Sequence, residues 1–234
     1  MKKRSLPIFL AILVLILGGI FAFVTLKKPP TQKPSFFQPS TTQKIPLSYK
    51  IENIPYTYGF TDCCYCAGMT AMMGYLGMSK EQVENYWQDI KATNYEKDPM
   101  ISIRLLPKYG LSDKFHVAWL NPQGHEPEFK MLWQRYLANY QKQVHFLKSE
   151  DEAFSFLKQL ISQNIPVMVA YEEPPKDTFH LAHGYDEKDV YYWTLPGKAT
   201  NEPIAKFLKG WKLDQEEFPY PNYPGHYTMM WLEK

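Results

Sequence analysis

Residues 61–77 read Thr61-Asp-Cys-Cys-Tyr-Cys-Ala-Gly-Met-Thr-Ala-Met-Met-Gly-Tyr-Leu-Gly77 and hold all three cysteines of the chain, at positions 63, 64 and 66. A run of mostly small and apolar residues follows them up to Gly77, a natural C-terminal stop for a helix. Thr61 or Asp62 can cap the first turn. A cysteine at such a turn meets unpaired backbone N–H groups and the positive end of the helix dipole, and both favour the thiolate. The stretch therefore predicts a buried helix with a thiol at its mouth.

Working outward, the first 28 residues form one candidate segment. Lys2, Lys3 and Arg4 precede an apolar run from Pro7 to Leu26, and Lys27-Lys28 follow it. About 20 apolar residues suffice to span a bilayer as a helix, and the segment lacks the small-residue cleavage site of a signal peptide. The expectation is an uncleaved single-pass signal anchor in the cell membrane, with the rest of the chain outside the cytoplasm. Residues 29–50, rich in Pro, Gln, Thr and Ser, read as an extended tether. From Ile51 to Lys234 the composition is that of one globular domain. The formal net charge of +2 comes with no dense basic stripe, which argues against a nucleic-acid partner.

Within 51–234 the pattern is helical first. Ser79 to Gln82 is a capping box, followed by Val83, Tyr86, Trp87 and Ile90 at helical spacing. Ile101 to Tyr109 predicts a short helix, Phe115 to Leu120 a strand, and Glu126 to Tyr140 a helix. Ser149 to Glu152 is a second box, whose helix turns Phe154, Leu157 and Ile161 inward. Strands are then predicted at Pro166 to Tyr171, Thr178 to Tyr185 and Val190 to Leu195, with a hairpin turn at Asp186 to Asp189. A helix over Pro203 to Trp211 and a strand over His226 to Leu232 complete the order. Helices first and an antiparallel sheet afterwards is an α+β arrangement. His116, His125, His145 and His226 each read as isolated surface or core histidines.

Cys64, Ala67, Met72, Tyr75 and Gly77 resemble the nucleophile segment of the C39-like, papain-like cysteine peptidases. Gly184-Tyr185-Asp186, Ile165 to Val169, and Phe207 with Trp211 resemble later segments of the same family. The resemblance implies a papain-like fold, N-terminal helices on a C-terminal antiparallel sheet, preceded here by the transmembrane helix. It implies thiol acyl transfer on a peptide or protein substrate, without a cofactor, in which Cys64 attacks the carbonyl and His180 moves the proton. His180 stands four residues before Gly184, where the family's usual histidine position is Thr178. Even parity in a strand would keep both on one face, and His183 is the substitute.

Two departures bear on activity. The family's orienting Asp falls at Leu195 and its oxyanion-hole Gln near Tyr58. Loss of one oxyanion donor typically costs about 10²–10³ in rate, and loss of the orienting acid up to about 10⁴. A second reading follows from these losses: a catalytically inactive C39-like module that binds peptide or cell-wall material. Cys63 and Cys66 can form a disulfide with each other or with a partner. A zinc site would need paired cysteine or histidine spacings that the chain lacks.

Overall fold

The computed structural model describes residues 44–55, 64–93, 101–120, 134–173, 176–194, 198–212 and 226–234. All of them belong to the second of two units into which the chain divides, Phe36–Lys234.

The cysteine stretch forms helix α1 (Cys64–Tyr75). Residues 65–73 are buried without interruption, so α1 is covered on all sides, as a helix apolar all round should be. Gly77 stops it at φ 87°. The N–H of Met78 reaches back to the carbonyl of Met73 at 3.1 Å, the bond that closes a left-handed helix end.

Helix α2 (Lys80–Lys91) opens on the expected box: Ser79 Oγ accepts from Gln82 N at 3.2 Å, and Gln82 Oε1 accepts from Ser79 N at 2.9 Å. Val83, Tyr86, Trp87 and Ile90 are its buried face. Helix α3 (Ile101–Leu105) tightens into a 3-10 turn (Leu106–Tyr109) that Gly110 ends in the left-handed region. After strand β2 (Phe115–Leu120), the helix expected to reach Tyr140 is interrupted before the short helix α4 (Tyr140–Gln143). Residues 126–133 of that expectation lie outside the described residues. Gln143 is buried and ties this corner together, donating to the carbonyls of Ser112 at 2.8 Å and Phe115 at 2.6 Å.

Strand β3 (Val144–Leu147) leads to helix α5 (Glu150–Ser162). Its cap is half of the expected box: Ser149 Oγ accepts from Glu152 N at 3.1 Å, but the Glu152 carboxylate accepts from Lys148 N at 2.7 Å instead. Phe156 is buried where Phe154 was expected. Phe154 is only partly buried, and Lys158 Nζ lies 4.8 Å from its ring centroid. Strands β4 (Val167–Glu173), β5 (Lys176–Tyr185) and β6 (Asp189–Thr194) follow as an antiparallel meander, then β7 (Lys198–Pro203), helix α6 (Ile204–Trp211) and β8 (His226–Leu232).

One sheet collects all the strands in the order β3-β2-β8-β4-β5-β6-β7, and β1 (Tyr49–Lys50) pairs with β5 beyond the end of β4. The pair β2–β3 is parallel and the others are antiparallel. This corrects the fold expected above. The sheet is mixed: to the expected strands, β2 among them, it adds β1 from the span read as tether and β3 from between two helical signals, so the architecture is α/β rather than helices followed by an antiparallel sheet. Within the span read as tether, Tyr49–Lys50 form a strand, and Tyr185 donates its hydroxyl to the Pro46 carbonyl at 3.2 Å.

The transmembrane helix is corrected as well. Among the described residues no helix is long and apolar enough to cross a membrane. The run Pro7 to Leu26 lies outside them, and the anchor, the membrane contact and the single-pass placement that rested on it are withdrawn.

Candidate functional site

The start of α1 and the strand β5 are the two elements that carry the sequence-derived site. Cys64 begins α1, but its side chain lies outside the described residues, as do Tyr58 and Leu195. Cys66, one half-turn on, is 2% exposed and is held in a disulfide.

The faces of β5 are fixed by contacts. The ring of Tyr65, next to Cys64 on α1, meets Phe179 edge-on with centroids 5.2 Å apart. Phe179 thus marks the face that meets α1. His180 alternates to the other face. There its ring lies 4.4 Å from Tyr171 and 4.6 Å from Tyr192, measured between centroids. Phe207 of α6 closes over both tyrosines at 5.8 Å. At 1% exposure His180 is a core residue, and burial pulls its pKa down to about 4 against weaker opposition from the Phe179 backbone and the Glu202 charge. Glu202 is itself buried. It accepts from the Tyr171 hydroxyl and pairs with Lys206 Nζ at 3.1 Å. Thr194, directly across from His180, uses its hydroxyl on the main chain of Lys198 at 3.3 Å.

Thr178 and His180 share one face of β5, as their even spacing predicts, because Tyr171 and Val169 of β4 stand opposite them in unbroken register; Gly184 is the residue out of step with them. Ala182 faces Tyr192 and Gly184 faces Tyr191, so the register shifts between them, and His183 is the inserted residue of a bulge. Counting back four from Gly184 across the bulge lands on the opposite face. The described residues do not bring His180 to the face that meets α1.

His183 is 5% exposed, and its carbonyl accepts from Ile51 N at 2.8 Å, which docks β1 beside the bulge. Its ring lies 6.3 Å from Trp193, edge-on. Burial, helped by the Lys50 charge, lowers its pKa to about 4. Neither ring nitrogen makes a well-formed hydrogen bond among the described residues.

The histidines read as isolated include a pair. His116 Nδ1 and His145 Nε2 are 3.2 Å apart, and both rings stack on Trp231 at 5.2 Å. His116 Nε2 also lies 3.0 Å from a Glu233 carboxylate oxygen. Burial lowers both pKa values, that of His145 to about 3. Their separation in sequence gives no spacing signal. Only the parallel register of β2 on β3, Val117 opposite Val144, brings them together. Beside His145 a cavity of ≈ 130 Å³ is lined by Ile45, Leu147, Phe156 and Gln159, among others. Among the described residues no group of three or more His, Cys, Asp or Glu side chains is placed to hold a metal.

Compared with known proteins, the chain matches no family model and no curated protein.

Proposed function

We propose that this chain is a C39-like module that binds peptide without cleaving it. The observation that supports this most is the placement of His180: it is stacked between Tyr171 and Tyr192 under α6, while Phe179 is the β5 side chain that meets the cysteine helix. A general base must come within hydrogen-bond reach of the proton that it removes. A histidine in the core on the far face of a sheet does not meet that demand. The replacement of the family's orienting acid and oxyanion donor by Leu195 and Tyr58 points the same way.

A second reading, a thiol peptidase, is favoured by His183 alone. The bulge makes it an extra residue, and its ring nitrogens have no well-formed hydrogen bond among the described residues. In that reading Cys64 is the nucleophile and His183 is its base.

One experiment separates the two. The pH dependence of Cys64 alkylation is followed in the unsubstituted chain and in His180→Ala and His183→Ala variants, alongside hydrolysis of a quenched-fluorescence peptide library. The binding module predicts no hydrolysis and profiles that coincide. A profile moved by His183→Ala, with hydrolysis that Cys64→Ala abolishes, would replace it with the peptidase.

A further inference from the structure

The cavity beside His145 carries a separate inference. It lies between strand β3 and helix α5, on the face of β3 that His145 turns to Phe156, their ring centroids 5.8 Å apart. Leu147 alternates to the same face. Ile45, from the segment ahead of β1, supplies a further wall. The lining is mostly apolar, and the volume of ≈ 130 Å³ is close to the about 150 Å³ of a cavity that takes up benzene. One polar group stands out. Gln159 is the one polar side chain among the buried residues of α5, is 8% exposed, and lines the cavity. Ser162 Oγ at 2.8 Å and Gln163 N at 3.1 Å both donate to its main-chain carbonyl, and its side-chain amide has no hydrogen bond to a described residue. We propose that this cavity is a binding site for a small neutral aromatic molecule with one hydroxyl or amide substituent, the ring held by Ile45, Leu147 and Phe156 and the substituent by the Gln159 amide.

Each part of that description follows from the lining. A single ring fits the volume and meets the rings of Phe156 and His145 as aromatic pairs, offset or edge-on. A primary amide offers both a donor and an acceptor, so it serves a hydroxyl or an amide group alike. Such a guest also removes the cost of a buried amide without a partner. Charge narrows the class. Glu152 lines the cavity seven residues before Gln159, on the same stripe of α5 and about 10 Å along it. One oxygen of its carboxylate accepts from Lys148 N at 2.7 Å. His145, kept neutral by burial, brings no compensating cation. An arene carboxylate would enter beside a negative charge and give up its hydration to an apolar wall, whereas a phenol or a benzamide enters uncharged. Because Ile45 belongs to the segment ahead of β1, an occupant bridges that segment to α5, and binding gains a readout outside the sheet.

The test titrates the full chain with phenol, toluene and benzoate while NMR follows the ring signals of His145 and the amide hydrogen exchange of Ile45. The expected result is a saturable shift with phenol, at a Kd about tenfold lower than that for toluene. Benzoate should give no saturable shift at the same concentrations, and phenol should slow the exchange at Ile45. Gln159→Leu should raise the phenol Kd about tenfold and leave that of toluene within about twofold. Ser155→Trp, at an exposed position of the lining, should abolish binding of both by filling the cavity, with the circular dichroism unchanged. No saturable shift with phenol, or one that Ser155→Trp leaves in place, would overturn the site. A phenol affinity that Gln159→Leu does not change would overturn the role of its amide, and benzoate binding as tightly as phenol would overturn the restriction to neutral ligands.

Discussion

Phe179 and His180 are adjacent on one strand, yet they belong to different parts of the molecule. Phe179 packs against the apolar cysteine helix, where neighbouring contacts are rings, methionines and small residues. His180 looks into a polar nest of Tyr171, Glu202 and Tyr192 beneath α6, with Lys206 at its rim. The difference teaches that a family-like string of residues does not fix chemistry on a strand. The face does, and simple alternation along β5 puts these two neighbours on opposite faces.

The largest effects should come from uncovering the two faces. Phe207→Ala should cost about 3–5 kcal/mol in urea unfolding, and it should let the His180 titration move up from about 4 towards its ordinary value, as followed by NMR. Phe179→Ala should cost a similar amount and leave that titration near its starting point. If both variants move His180 equally, the two faces are not separate environments.

Acid titration sharpens the same contrast. Burial depresses the pKa of His116, His145, His180 and His183. Each is neutral in the fold and takes a proton once unfolded, below its ordinary value of about 6.5, so the unfolded chain binds more protons there. Stability should be full above about pH 6.5 and fall as the pH drops towards about 4. For His180 alone the loss is of order 3 kcal/mol. Replacing His180 by Phe should flatten the fall, as read from chemical denaturation at several pH values. An unchanged slope would mean that His180 is not the buried neutral group described.

Smaller effects concern the polar nest and the caps. Glu202→Gln should cost about 1.5–3 kcal/mol, because Tyr171 loses a charged acceptor inside the core. Lys206→Ala should cost less than about 1 kcal/mol, since its side chain is 73% exposed. Equal costs would place the weight of the nest on the ion pair rather than on Tyr171. Smallest is the comparison of caps: Ser79→Ala should cost about 1 kcal/mol. Glu152→Ala, which removes only the contact to Lys148, should cost less. Thermal unfolding is the measurement for both.

Much of this was legible in the residues. The cap at Ser79, the left-handed stop at Gly77 and the meander with its turn at Asp186 are local signals, written within a few positions of where they act. Three strands were not. Tyr49–Lys50 is too short to show a period, Val144–Leu147 sits between two helical signals, and Lys198–Pro203 has no apolar alternation; each is a strand because a neighbour pairs with it. The His116–His145 pair is illegible for the same reason, as it needs the parallel register. The bulge at His183 is illegible too, because an inserted residue shows only when the facing strand is paired with it.

Strand β8 lies in the middle of the sheet, between β2 and β4, although it comes last along the chain. Met229 and Met230 pair with strands on both sides. A ribosome delivers the flanking strands first, and until residues 226–232 emerge their facing edges have no described strand to pair with. From the synthesis of β4 until that of β8 the nascent chain thus carries two open β edges, the condition under which chains stick to one another. Loss of only the final strand would leave a molecule split through its centre, so premature termination near the C-terminal end should yield aggregates rather than a shortened working domain.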